Sequence, residues 1–330
     1  MKKGVLVSVL LITLFFLIPV LFVGLPDKSE KTWTESGETP EDLEQKPLTQ
    51  LEQEEREKSI PVFRSETETV EQMNLEEYVA GVVASEMPAE FEMEALKAQA
   101  LTARTYAAKQ MASPAEINLP EGALVTDTPM HQVYQSEEEL KEKWGEDYEW
   151  KMDKVKEAVL ATAGQVLTFE GQPITAAFFS TSNGYTENAE DYWQNSEPYL
   201  QSVESPWDKG SPRYENVTRI PVEELEQTLG VSLQNGEAGT ILSRTDGNRV
   251  EELELGDQTF NGREIREKLE LDSADFSITR EGNNVIFSTK GWGHGVGMSQ
   301  YGADGMAKEG KNYREIVKHY YKGVEISSLS

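Results

Sequence analysis

The chain has 330 residues, 38% of them hydrophobic, with 59 acidic against 31 basic side chains and a formal net charge of −28. That balance argues against a nucleic-acid binder, whose footprint would be basic, and against a surface lying on anionic lipid. No cysteine occurs, so disulfides, thiol nucleophiles and thiolate metal sites are excluded together.

The chain opens Met1-Lys2-Lys3 and is then uncharged through Pro26. Residues 5–25 are almost all Leu, Val, Ile and Phe, long enough for a spanning helix, which needs about 20 residues. Residues 1–4 are then a cytoplasmic tail, because the lysines stay inside, and the rest faces outward. The rival is a cleaved signal peptide, but residues 20–26 offer no small-x-small cleavage site. Residues 26–59, rich in Glu, Lys, Gln, Thr and Ser, read as a disordered acidic tether. Residues 60–330 are expected to form one mixed α+β ectodomain, with a helix pair beside short strands and hairpins.

A strand is expected over 60–64. Asn74 then caps a helix, with Glu77 three residues on. Leu75, Val79, Val82 and Val83 follow helical spacing, and Pro88 stops the helix at about Glu86. Glu86 continues the apolar stripe at the negative helix end. Burial and that helix end would both raise its pKa, as general acid work requires. The alternative is a carboxylate turned outward at a frayed end. A second helix spans about 92–111, with Leu96, Ala100, Ala103 and Ala107 on one side. Its Arg104 faces either the same cleft as Glu86 or a surface ion pair.

Residues 113–129 read as loop, and 132–134 as a short strand. Ser136 starts a helix that breaks near Gly145 and reaches Ala161. Strands follow at 165–169 and 173–179. The hydroxyl- and amide-rich run 180–187 is a binding loop or a polar turn. Tyr192, Trp193, Tyr199 and Trp207 offer sugar-stacking faces or core packing. A strand at 217–220, a helix ending at Leu229, hairpins over 241–260, an Asn261-capped helix and a further hairpin over 276–287 come next. Five glycines in 291–302 rule out regular structure and allow close backbone approach; His294 among them is expected to be reachable from solvent. A last helix starts at Asn312, and a strand covers 324–326.

Histidine occurs only at positions 131, 294 and 319, with no HExxH pair, so no metal or other cofactor is expected. His319 reads as a helix-packing residue. No G-x-S-x-G marks a nucleophile. Asp191, Glu187 and Glu190 are the nearest candidates for a second acid.

Four stretches carry a resemblance: VVASEMP at 82–88, ALKAQALTARTY at 95–106, STSNG at 180–184 and GWGHGVGMSQYG at 291–302. Together they resemble the motifs of the SpoIID/LytB family, and the likeness runs from about residue 60 to the C-terminus. The resemblance implies a lytic transglycosylase that cuts peptidoglycan glycan strands, stripped of stem peptides, between N-acetylmuramic acid and N-acetylglucosamine. It implies septal thinning and engulfment in sporulation, at the cell membrane, beside a SpoIIP-type amidase and a SpoIIM-type membrane protein. The family's catalytic Glu falls on Glu86. Arg104, Ser182, Asn183, Tyr185, His294, Gln300 and Tyr301 are assigned to substrate binding from residue type and motif membership. Some relatives hold zinc through Cys and His near the position of His131, and the Cys are missing here. The alternatives are a non-enzymatic glycan-binding activator of a cell-wall amidase, and a muramidase that uses water and a second acid such as Asp191.

Overall fold

The structure is a computed structural model that describes residues 59–114, 119–193, 195–234 and 236–329. The expected tail, anchor and tether lie outside the described residues, except Ser59, which opens the first strand. Among the described residues no helix is long and apolar enough to cross a membrane. The fold is mixed α+β, as expected, but its apolar residues form two cores.

The main lobe starts with an antiparallel hairpin of β1 (Ser59–Arg64) and β2 (Thr69–Asn74). Asn74 accepts from the Glu76 and Glu77 amides and so starts α1 (Leu75–Glu86). Met87 leaves the helix in extended conformation ahead of Pro88, the geometry that a following proline favours. Helix α2 (Met93–Ala112) is buried along most of its length, and Leu96, Ala100, Ala103 and Ala107 are fully covered. Small side chains there let α1, α4 and β4 pack close around it.

β3 (Val125–Thr126) pairs parallel with β1, inside the stretch read as loop. The expected strand at 132–134 is absent. Its amides go elsewhere: Tyr134 donates to Asp127 O and Val133 to Glu86. Tyr134 lies against Gly81 of α1, where a Cβ would collide with the ring. That close approach holds the 132–134 segment on the helix that ends in Glu86.

Ser136 and Glu139 form a reciprocal capping box on α3 (Glu137–Trp144). After a break at Gly145, α4 (Tyr148–Leu160) follows. β4 (Gln165–Phe169) and β5 (Gln172–Pro173) make a short hairpin, and of the expected strand 173–179 only Pro173, in β5, and β6 (Phe178–Phe179) are paired. A five-residue helix, α5 (Ala189–Trp193), then interrupts the polar loop.

The second core belongs to an insertion. β7 (Glu215–Pro221) leads to α6 (Val222–Leu229), which ends at a left-handed Gly230. A meander of β8 (Thr240–Arg244), β9 (Val250–Leu255) and β10 (Gln258–Asn261) follows, then α7 (Gly262–Lys268), capped by Asn261. β11 (Phe276–Glu281) and β12 (Asn284–Lys290) complete a sheet ordered β11-β12-β7. Leu225, Leu253, Ile265, Phe276 and Phe287 fill this core. The insertion closes where the Gly291 amide donates to Tyr214 O at 2.8 Å.

The chain then re-enters the main lobe. β13 (Met298–Ser299) pairs parallel with β6, and α8 (Gln300–Lys308), α9 (Tyr313–Tyr320) and β14 (Glu325–Ser328) finish it, β14 on the free edge of β4.

Candidate active site

Glu86 lies on a groove of about 1210 Å³. The end of α1 supplies one rim, β6 and the glycine-rich loop the floor, and α5 and α7 the far wall. As the last residue of α1, Glu86 sits where the helix offers it no backbone donor. Among the described residues its carboxyl accepts one hydrogen bond, from the Val133 amide to Oε1 at 2.7 Å. Burial pushes its pKa above the ordinary value, against the opposing pull of that amide and of Lys143. The direction agrees with the sequence expectation.

His294 forms part of the same lining. Its ring lies 5.5–5.7 Å from those of Phe179, Tyr192 and Trp193. Burial in that aromatic nest, helped by the charges of Arg266, Arg249 and Arg263, pushes its pKa down to about 3. Nδ1 accepts from the Val296 amide at 3.0 Å, so the proton of the neutral ring is on Nε2. His294, expected to be reachable from solvent, is half-buried on the groove lining, and its ring is neutral near pH 7.

Gln300 and Tyr301, at the start of α8, also line the groove. Tyr301 packs edge-on against Phe91 at 4.9 Å, and its amide donates to Ser180 O. Gln300 is buried, and its Nε2 has no hydrogen-bond partner.

The other four expected binding residues are placed elsewhere. Arg104 is fully buried, away from the groove. Its guanidinium holds Glu76 bidentately at 2.6–3.1 Å and donates to Val159 O and Thr162 Oγ1. It therefore ties the start of α1 to the end of α4. Ser182 is covered and bound to Asp208 and Ser205 O. Asn183 donates to Gly247 O and Asp275 of the insertion. Tyr185 is exposed but lines a second cavity with Asn188, Glu190 and Asp246.

Asp208 is the hub behind the floor. It accepts from the Ser182 amide at 2.7 Å, from the hydroxyls of Ser182 and Ser205 at 2.8 Å, and from the Ser299 hydroxyl. These bonds bring the Ser180 loop, a 3₁₀ turn at Pro206–Gly210 and the start of α8 to one point. Burial raises the pKa of Asp208 as well. A second buried link joins the lobes: Arg249 stands 3.6 Å from Glu187 and lies under Gly295, where φ is +87° and a Cβ would strike the guanidinium. Glycine at that place is what lets the loop cross the ion pair.

Several lining residues were not legible as site residues: Tyr106, Lys109, Lys143, Arg213, Arg263, Arg266 and Trp292. Burial pushes the Tyr106 phenol up to about 12. Of the four candidate sugar-stacking aromatics, Tyr192 and Trp193 reach the groove. Tyr199 packs on Phe169, and Trp207 on His319. His319 also bonds Glu204 O, a packing role as expected.

None of the three candidate second acids lines the groove. Glu187 is bound to Thr245 and Arg249, Asp191 to Asn188, and Glu190 faces the second cavity. His131 lines the groove, with Nδ1 3.2 Å from the Thr126 amide and a buried, unpartnered Nε2. Among the described residues no group of three His, Cys, Asp or Glu side chains could hold a metal.

Comparison with known proteins matches residues 64–169 to the family model described as "SpoIID: Stage II sporulation protein". The chain is similar to stage II sporulation protein D of Bacillus subtilis, with 49% identity over 99% of this chain and 96% of that protein. The corresponding protein of Bacillus amyloliquefaciens is 52% identical over 82% of this chain and 78% of its own. A more distant likeness, 28% over 75% of this chain and 40% of the relative, is to the amidase enhancer of Bacillus subtilis.

Proposed function

Because this chain belongs to the stage II sporulation protein D family, we propose that it is a lytic transglycosylase cutting peptidoglycan glycan strands during sporulation, with Glu86 as its single acid and base. The observation that carries this reading is the state of the groove carboxyls. Glu86 has one hydrogen bond and a raised pKa, while Glu90, the other lining acid, is tied to Lys151 at 3.0 Å. An inverting or retaining hydrolase needs two working carboxylates. A lytic transglycosylase needs one.

The steps follow from that count. Protonated Glu86 gives its proton to the glycosidic oxygen between N-acetylmuramic acid and N-acetylglucosamine, and the C1–O bond breaks. The ionised carboxylate then takes the proton of the muramic C6 hydroxyl. That oxygen closes on C1 as a 1,6-anhydro ring, and no water is consumed. The raised pKa serves the first half, and the Val133 amide and Lys143 stabilise the anion for the second. His294 cannot serve as the acid, since its ring is neutral; it shapes the wall beside Tyr192 and Trp193. We place the protein at the cell membrane, held by an anchor over residues 5–25, with the ectodomain on the outer side.

The test is incubation of the purified protein with peptide-free glycan strands and mass spectrometry of the ends. Anhydro ends that vanish in Glu86→Gln are expected. Reducing ends in place of anhydro ends would overturn the mechanism. The likeness to the amidase enhancer supports a second reading, a glycan-binding activator of a cell-wall amidase. Under it, Glu86→Gln still stimulates the amidase and anhydro ends never form.

A further inference from the structure

Of the tryptophans among the described residues, Trp150 alone is exposed, at 44%; Trp144, Trp193, Trp207 and Trp292 are half-buried. It stands in the first turn of α4 and belongs to neither apolar core. An indole left in water forgoes the burial that a ring of its size would gain, so its position calls for a reason.

The ring is held in place. Its Nε1 donates to Asp147 at 2.9 Å. Asp147 directly precedes α4, yet its carboxyl makes no capping bond to that helix. It serves the indole instead and, at 3.8 Å, the Lys151 ammonium. With the one polar atom of its side chain bonded, Trp150 presents carbon to solvent.

The same patch runs into the groove. Lys151 Nζ stands 5.4 Å from the centre of the Trp150 ring and 5.6 Å from that of Trp144, and it pairs with Glu90 at 3.0 Å. Trp144 and Glu90 both line the groove. One ammonium therefore ties an indole on the groove lining to an indole outside it.

The size and surroundings of the patch select its ligand. The exposed residues beside it along the chain are Glu146, Asp147, Glu149 and Asp153, all acidic. A protein partner would need a continuous apolar patch of a few hundred Å² or more, which a single ring among carboxylates does not supply. A sugar needs one ring. It offers a face of C–H groups to the indole and a rim of hydroxyls that can donate to carboxylates.

We infer that Trp150 is a stacking site for an uncharged sugar of the glycan strand, outside the groove, on a strand that passes Glu86 and leaves by way of Trp144. This rests on the reading of the groove as a glycan site and adds a length requirement to it. A strand too short to reach Trp150 forgoes its contribution. Trp150 touches no reacting atom and is a positioning residue.

Binding measured by calorimetry on the full chain carrying Glu86→Gln separates this inference from the proposed reaction, because no cleavage is needed. The probes are peptide-free strands in a length series, from the disaccharide to long strands. Affinity should climb with length. Adding Trp150→Ala should weaken binding of the longest strands about fivefold, the worth of one aromatic contact, and leave disaccharide binding unchanged. Trp150→Phe, which keeps a ring, should recover part of the loss. Undiminished binding of the longest strands by Trp150→Ala would overturn the inference and leave the ring to some other partner. An equal loss at every length would overturn it too, since it would mark a residue of the fold. If no strand binds at any length, the glycan reading of the groove falls and the inference with it. If the length effect appears while anhydro ends never do, the inference stands and the proposed reaction falls.

Discussion

Glu86 and Asp208 are both carboxyls withdrawn from water, and burial raises the pKa of each. They differ in what their oxygens meet. Asp208 accepts from one amide and three serine hydroxyls and lies behind the groove floor. Glu86 accepts from one amide and opens on the groove. Withdrawal from water alone therefore does not mark a working acid. A carboxyl whose lone pairs are filled is a fastening; one left under-bonded at a helix end can exchange a proton with a ligand.

The sharpest way to test the contrast is to neutralise each carboxyl. Glu86→Gln should lower the rate of anhydro-end formation by about 10³-fold, within the range for loss of a general acid, with an unchanged circular dichroism spectrum. A loss below about tenfold would remove Glu86 from the chemistry. Asp208→Ala should instead act on the fold. It leaves three buried hydroxyls and an amide without their acceptor, and should cost about 3–5 kcal/mol in urea unfolding. A cost under about 1 kcal/mol would show that the hub is not a fastening.

A smaller effect has the opposite sign. The folded pKa of Glu86 lies above its unfolded value, so its contribution to stability is complete below about pH 4 and is lost as pH rises through the folded pKa. Above the folded pKa the ionised carboxylate weighs against the fold, and there Glu86→Gln should raise stability by about 1 kcal/mol, as relief of a functional strain does. That gain should vanish in unfolding measured at about pH 4. Smallest is the effect of Lys143, which holds the Glu86 pKa down. In Lys143→Gln the alkaline limb of kcat/KM should move to higher pH by less than about one unit. Movement to lower pH would contradict the assigned sign.

Much of the Glu86 side was legible in the sequence, because the signals there are local. The Asn74 cap, the apolar spacing and the Pro88 stop specify α1 to its observed ends, Leu75–Glu86. The helix break at Gly145 and the helix ending at Gly230 were read for the same reason. The features without a local signal depend on partners far along the chain. Arg104 is buried by Glu76, 28 residues away, a pairing that no spacing rule contains. β3, β6 and β13 are two residues each, too short for any periodicity. The cations of the far wall come from the insertion, whose separate core gives no sign in sequence of facing Glu86.

The route of the chain also fixes a timetable. Ser299 meets Ser180 across 119 residues, and the whole insertion lies between them. Gln300 and Tyr301 can take their places only after that loop has closed, and closing a long loop is the slow, entropically opposed step of such a topology. The insertion, with sequence-near hairpins and its own core, can form before then. The groove is therefore the last part of the molecule to exist. In refolding followed by pulsed hydrogen exchange, the amides of β11 and β12 should be protected before those of Met298 and Tyr301. A chain halted short of residue 298 holds Glu86 on its helix but lacks Gln300 and Tyr301 on the lining, so the groove is complete only once α8 has joined it.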